Sequence, residues 1–166
     1  MSDANPHSSN LHIRQENNAA VLARLNRHVH APHYERHPDR YAPYDFGRFV
    51  GWYETVLAKE GAYGLVAYLE GEPVGYALLL HKKNNGAHAM LAENYEYVQV
   101  EEMAVATAHQ GRGFGKQLMQ HIRAFCREKG ARRVQLSVWL DNEAAKSFYE
   151  REGFEGYLLY MEMAVE

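Results

Sequence analysis

The stretch Gln110-Gly111-Arg112-Gly113-Phe114-Gly115-Lys116 constrains this chain more than any other. It follows a strand-like run, Val98-Gln99-Val100-Glu101-Glu102-Met103-Ala104-Val105, and opens an amphipathic stretch over residues 116–129. The pattern reads as strand, tight turn, helix. Glycines permit the turn and let a ligand approach the backbone with no Cβ in the way. The first N–H groups of a helix lack intrahelical partners, and the helix dipole favours negative charge there. A phosphorylated ligand is therefore expected at residues 110–116.

Two well-known phosphate loops do not fit. A Walker loop needs G-x-x-x-x-G-K-[ST]. Here Gly115-Lys116 is preceded at the required position by Gln110 and followed by Gln117, so the hydroxyl that would bind Mg²⁺ is missing. A dinucleotide fingerprint needs G-x-G-x-x-G. Here the third glycine comes one residue early, and no second βαβ half follows. What remains is Q-x-x-G-x-G, carried by Gln110, Gly113 and Gly115.

Local patterns give the rest of the architecture. Residues 1–10 are polar, and a disordered tail is expected. A short strand over 11–14 precedes a helix over 17–29, with Ala20, Val21, Leu25 and His28 near helical spacing. Residues 31–43 hold three prolines and read as a loop, and a second helix is predicted over 44–58. Strands over 63–69 and 73–81 meet at Glu70-Gly71-Glu72, a hairpin turn with glycine where positive φ is needed. A turn at 82–86 and an ambiguous stretch at 87–94 precede a strand over 95–105. A helix over 113–129 stopped by Gly130, a strand over 133–140, a helix over 142–152 and a last strand over 156–165 complete the chain. The string β-α-α-β-β-β-α-β-α-β implies an α/β fold, a mixed sheet with helices on both faces. No domain boundary is evident, so residues 11–166 are expected to form one domain.

Composition excludes several classes. With 166 residues the chain suits one domain with a sizeable core, and 46% hydrophobic with 23% charged residues is ordinary for a soluble globular protein. A net charge of −3 gives no bulk basic field for nucleic acid or anionic membrane. Cys126 is the single cysteine. No apolar run approaches a membrane span and the first residues lack signal-peptide regions, so a cytoplasmic protein is expected.

A second segment gives Gln110, Gly113 and Gly115 a family setting. After the strand-like Val134-Gln135-Leu136-Ser137-Val138-Trp139-Leu140 comes Asn142-Glu143-Ala144-Ala145-Lys146-Ser147-Phe148-Tyr149, then Glu150-Arg151-Glu152-Gly153-Phe154. Together the two segments resemble the GNAT superfamily of N-acetyltransferases, whose acyl-CoA loop has the Q-x-x-G-x-G pattern and whose later helix has N-x-x-A-x-x-F-Y-x-x-x-G-F. They cover roughly the last two fifths of the chain in the family's order; residues 1–95 match only the general layout.

The resemblance implies a mostly antiparallel sheet of six to seven strands and acetyl-CoA as donor. It assigns the backbone N–H groups of Gly111, Arg112, Gly113, Phe114, Gly115 and Lys116 to the CoA pyrophosphate, with Gln110 at the first polar position. Arg112 and Lys116 could add side-chain charge. It assigns the backbone of Met103, Ala104 and Val105 to the pantetheine arm and the acyl carbonyl, whose developing negative charge a fixed N–H stabilises. Asn142 would contact pantetheine, although an N-cap serves Asn equally well. Ala145 is small enough to admit the cofactor. The alternative for the loop is a plain β–α turn whose glycines serve packing.

Acetyl transfer needs a base for the ammonium and an acid for the leaving thiolate. Tyr149 matches the tyrosine that the family places near the CoA sulfur, and is the candidate acid; the alternative is a core tyrosine beside Phe148. Glu101 and Glu102 interrupt an apolar strand and are the candidate bases, since buried carboxylates are costly unless used or paired. Alternation sends them to opposite faces, and Glu101 is preferred because it shares parity with Met103 and Val105. In many family members a carboxylate near this point acts through water. The alternative is a pair satisfied by arginine or backbone donors.

His28, His30, His33 and His37 invite a metal reading, but Pro38 disfavours helix at His37 and no cysteine is nearby, so none is expected. The aromatic loop over 28–44 is expected to line the acceptor pocket, with His33, Tyr34 and Tyr41 as weak substrate-binding candidates. Cys126 shares a helical stripe with Phe114, Leu118, Ile122 and Phe125 and reads as core. The function expected is direct transfer from acetyl-CoA to a primary amine in a ternary complex, with a small-molecule or peptide amine as partner. The alternatives are a non-catalytic acyl-CoA sensor on the same fold, or use of a longer acyl group. The resemblance also makes a homodimer a candidate state, with residues 156–165 contributing.

Overall fold

Apolar runs become one sheet, and helices of the same unit cover its two faces. The computed structural model describes residues 11–84 and 95–165; the expected tail over 1–10 and the ambiguous stretch over 87–94 lie outside the described residues. The chain forms two units, Met1–Leu136 and Ser137–Glu166.

In the first unit the order is β1 (Leu11–Gln15), α1 (Ala19–Arg36), α2 (Phe46–Leu57), β2 (Ala62–Leu69), β3 (Glu72–Asn84), β4 (Tyr95–Val105), a 3₁₀ turn (Thr107–His109), α3 (Phe114–Glu128) and β5 (Arg133–Leu136). The strands lie in sequence order, β1-β2-β3-β4-β5. The first four are antiparallel, and β5 runs parallel to β4 because α3 supplies the crossover. The β2–β3 turn is tight: Glu70 (φ 52°) and Gly71 (φ 88°) are both left-handed, as a two-residue hairpin loop demands.

The helix starts follow capping chemistry. Asn18 accepts from the N–H groups of Ala20 and Val21, and Asp45 from that of Arg48. The first helix runs seven residues past the expected end at 29, through Pro32 to Arg36. Pro32 removes one N–H, yet the continuation packs: His33 stacks on Tyr41 at 5.4 Å and His30 meets Phe49 edge-on at 4.9 Å. Tertiary contact outweighs the local cost of proline there.

Each face of the sheet has its own core. Leu22, Ala23 and Leu25 of α1 and Tyr53 and Val56 of α2 bury Val66, Tyr76 and Leu78. Phe114 and Leu118 of α3 cover Ala67 and Val74 on the other side, with Met103 and Val105 packed at the margin. Each such Leu or Phe contributes about 1.5–3 kcal/mol by burial. Cys126 lies in the α3 stripe as expected, its thiol donating to the carbonyl of Ala131 at 3.3 Å.

In the second unit α4 (Glu143–Arg151) starts at Asn142, which accepts from the Ala145 N–H at 3.3 Å. Gly153 closes it with φ 84°. Two expectations are corrected. Five strands form among the described residues rather than six or seven: residues 156–165 hold no regular element, and β5 ends at Leu136 rather than Leu140. Tyr157-Leu158-Leu159-Tyr160-Met161 is an unbroken apolar run, so no alternation marks a buried face to fix strand register. Among the described residues no helix is long and apolar enough to cross a membrane.

Two glycines separate close packing from backbone freedom. A Cβ on Gly64 would lie 2.3 Å from the Glu16 carbonyl and 3.1 Å from Leu22 Cδ2; one on Gly51, in α2, would meet nothing within 4 Å. Gly64→Ala is expected to lower stability by about 1–3 kcal/mol, and Gly51→Ala to raise it by about 0.5–1 kcal/mol. Urea-unfolding midpoints moving in opposite directions check the pair.

Candidate active site

The glycine loop is built as a continuation of β4. The Gln110 side chain donates to the Val105 carbonyl at 3.0 Å, tying the loop to the strand end. Gly111 (φ 74°) and Gly113 (φ 80°) adopt left-handed conformations that other residues rarely take. No side chain caps the start of α3 at Gly113, so the first N–H groups of the helix stay available to an anion. Arg112 belongs to the loop's own packing: it reaches His109 Nδ1 at 3.1 Å and lies 4.9 Å over the Phe114 ring. Phe114 is buried and Lys116 exposed.

The end of β4 offers a second feature. On one side Met103, Ala104 and Val105 pair with Ala77, Tyr76 and Gly75 of β3. On the other side the β5 ladder runs only from Tyr97 opposite Arg133 to Val100 opposite Leu136. Residues 101–105 therefore have no β5 partner, and that backbone edge can bond an extended ligand in the manner of an added strand. The loop and this edge suit a ligand with an anionic group at one end and an extended arm.

A bulge decides which carboxylate turns inward. Leu78 pairs with Glu102 but the next residue, Leu79, pairs with Val100, so Glu101 is the extra residue in β4. Beyond the bulge the faces exchange, and Glu102 and Ala104 share the α1/α2 side with Tyr76 and Leu78. Parity had favoured Glu101. The structure leaves Glu101 exposed and Glu102 half-buried on the α1/α2 side, because Met103 and Val105, whose parity favours Glu101, face α3 instead.

Three neutral side chains hold Glu102. Asn26 Nδ2 donates to Oε1 at 3.0 Å; the hydroxyls of Tyr76, at 2.9 Å, and of Tyr53 donate to Oε2. All three are buried, Asn26 1% exposed and both tyrosines 0%. Burial raises the Glu102 pKa from its ordinary value of 4.5, and the three donors oppose that rise in part. The same burial, with the adjacent carboxylate, pushes both tyrosines above their ordinary range and keeps them as donors. Oε1 has one donor where Oε2 has two, so Oε1 keeps the greater accepting capacity. Asn26 Oδ1 is buried with no donor among the described residues. Such an orphan costs about 1–3 kcal/mol unless a partner meets it.

Glu102 lines a cavity of about 300 Å³. Its walls come from the end of α1, the segment after it and the first turns of α2: His30, Tyr41, Pro43, Phe49 and Trp52, with Arg40, Asp45 and Arg48 adding charge. Of the three acceptor candidates, Tyr41 lines this cavity; His33 stacks behind it; Tyr34 is half-buried and not part of the lining. Asn26, Tyr53 and Tyr76 were missed. The signal was present for one: Asn26 lies one turn after Leu22 and Ala23 on the apolar stripe of α1, where a polar residue implies a buried partner. Among the described residues no three His, Cys, Asp or Glu groups gather to hold a metal ion.

Within the second unit Asn142 acts as N-cap, and Ala145 supplies the N–H that it accepts. Tyr149 is packed edge-on against Phe148 at 5.3 Å and Phe154 at 5.6 Å. Burial raises its phenol above 10.0, so it carries its proton at neutral pH.

The chain is similar to known proteins in sequence and in fold. A relative from Methanocaldococcus jannaschii, named an uncharacterized N-acetyltransferase, is 31% identical over 110 residues, 65% of this chain and 46% of its own. The 5-NmdU N-acetyltransferase of Pseudomonas phage PaMx11 is 44% identical over 105 residues, 61% of this chain and 66% of its own. The chain thus spans less than two thirds of either relative. In fold it is similar to the tetramutant of the BH1408 protein from Bacillus halodurans, with a TM-score of 0.80 at 22% identity, covering 93% of this chain and 99% of that one. It is similar also to an aminoglycoside acetyltransferase from an uncultured soil metagenomic sample, in complex with sisomicin, with a TM-score of 0.70 at 19% identity, covering 94% and 97%. Residues 22–154 match the model of the Acetyltransferase (GNAT) family, and with the loop, the strand edge and the α4 motif in place the chain belongs to that family.

Proposed function

We propose that this protein is an N-acetyltransferase that moves the acetyl group of acetyl-CoA to a primary amine by direct attack in a ternary complex. The observation that carries the reading is Glu102: a desolvated carboxylate in a socket of neutral donors, lining a cavity of small-molecule size. A carboxylate whose pKa lies above the usual range is a better base near neutrality than an exposed one. Names among the relatives support N-acetylation as the chemistry.

The acceptor ammonium, of pKa about 10, gives a proton to Glu102. The free amine attacks the thioester carbonyl, a C–N bond forms, and backbone N–H groups of residues 103–105 stabilise the developing oxyanion. The C–S bond then breaks and the thiolate takes a proton from Tyr149. Of the two protons that nitrogen loses, one replaces the proton Tyr149 gave up and the other leaves to solvent through Glu102. Tyr149 enters by its place in the family motif and by its protonated state at neutral pH. Asn142 and Ala145 enter on the same motif, toward pantetheine. Gln110, Gly111, Arg112, Gly113, Phe114, Gly115 and Lys116 form the pyrophosphate cradle.

Release of free thiol from acetyl-CoA across a panel of amines checks the activity. Tight CoA binding with no thiol release on any amine would favour the acyl-CoA sensor instead. Glu102→Gln is expected to lower kcat/KM by about 10²–10⁴-fold and to remove the acidic limb of the pH–rate profile, which in the wild type rises with pH as Glu102 deprotonates. Tyr149→Phe is expected to lower kcat with little change in CoA affinity; wild-type kcat in that variant would remove Tyr149 from the mechanism.

Glu102 also makes stability depend on pH. Its pKa is raised on folding, so above about 4.5 the native state holds a proton that the unfolded chain has lost, and stability falls as pH rises through the raised value. Chemical denaturation of the wild type should show that fall, and Glu102→Gln should flatten it.

A further inference from the structure

The cavity over Glu102 carries information about the acceptor, on the reading that the protein acetylates amines there. Its aromatic walls are fixed in place. Phe49 stacks on Tyr44 at 5.1 Å, and His30 meets Phe49 edge-on while its Nε2 is held by the Ala42 carbonyl at 2.8 Å. Trp52 remains 39% exposed. Rings held this way offer faces to a planar group, and to the ammonium next to it.

The charges at the cavity are not those of a polycation site. Arg40 and Arg48 stand against Asp45 and Glu102. Asp45 is occupied as the cap of α2, accepting the Arg48 N–H at 2.9 Å. The Arg48 guanidinium makes no hydrogen bond or ion pair with any described residue. Arg48 and Trp52 are four apart on α2 and share one face, about one turn from each other. An arginine with no side-chain partner among the described residues thus neighbours an exposed indole, in a cavity that also holds Arg40, Asp45 and the carboxylate of Glu102. A ligand bridging these groups has an ammonium at one end, a planar middle and an anion at the other. About 300 Å³ is at the small end for a ligand site.

We propose that the acceptor is a small primary amine carried on a planar ring with an anionic substituent, carboxylate or phosphate, and that Arg48 selects for the anion. A second ammonium would meet Arg48 instead, so polyamines and aminoglycoside-like polycations are poor acceptors.

Four compounds on one ring test this: benzylamine, 4-(aminomethyl)benzoate, 4-(aminomethyl)phenyl phosphate and 1,4-bis(aminomethyl)benzene. Calorimetry on the protein alone gives their affinities. Thiol release with acetyl-CoA gives their kcat/KM. The two anionic compounds are expected to bind about tenfold or more tighter than benzylamine, and the diamine more weakly than benzylamine. The tighter of the two identifies the anion. Arg48→Glu should invert the order, favouring the diamine; Arg48 is exposed, and an unchanged thermal unfolding midpoint confirms the variant's fold. Diamine binding equal to or tighter than that of the acids, or the same order in Arg48→Glu, overturns the proposal. If the binding order holds but no thiol is released, the cavity assignment stands and the acetyl-transfer reading fails. If thiol is released equally on all four, the reverse is true.

Discussion

Burial of the Glu102 carboxylate among neutral donors is the constraint on which the site depends. An unpaired charge in a protein interior is disfavoured strongly enough that the group usually neutralises. Here the donors are neutral side chains. Asn26 of α1, Tyr53 of α2 and Tyr76 of β3 each contribute a donor. The socket therefore exists only when α1, α2 and the sheet are assembled, and the packing of Leu22, Val56 and Leu78 around it is a condition for the chemistry. A counter-cation would have stabilised the anion and made it a weaker base. Neutral donors hold the carboxylate in place and leave it ready to take a proton.

The bulge at Glu101 joins this socket to the rest of the site. Before it, β4 sends Val98 and Val100 into the core. After it, the same strand turns Glu102 toward the α1/α2 side and leaves Met103 and Val105 packed beside α3. The β5 ladder stops at Val100, immediately before the bulge. One inserted residue thus coincides with a change of face, the end of pairing with β5, and the start of the backbone edge that leads to Gln110.

Local structure was legible in the sequence where chemistry is local. The glycines of residues 110–116 announce a tight turn and a helix start by type and spacing, since positive φ at Gly111 and Gly113 and the uncapped start at Gly113 depend on a few neighbouring residues. Asn142 and Gly153 mark the ends of α4 for the same reason. The inward carboxylate was not legible, because a bulge is defined by the partner strand: Glu101 is extra only relative to Leu78 and Leu79. Nor was the run of α1 beyond residue 29, where Pro32 argues for a break that contacts of His30 and His33 prevent. Residues 156–165 failed in the other direction: high apolar content suggested a strand, but composition without alternation does not specify one. Tyr53 and Tyr76 could not be found, because nothing in one chain's order says which tyrosines meet one carboxylate.

The central claim is that Glu102 is a desolvated carboxylate held by neutral donors. The most direct measurement is a ¹³C NMR titration of its side-chain carboxyl in the wild type and in Tyr53→Phe. The midpoint is expected above 4.5 in the wild type, and still higher in Tyr53→Phe, where one donor to the anion is lost. A wild-type midpoint at or below 4.5, or one that Tyr53→Phe leaves unchanged, would contradict that claim.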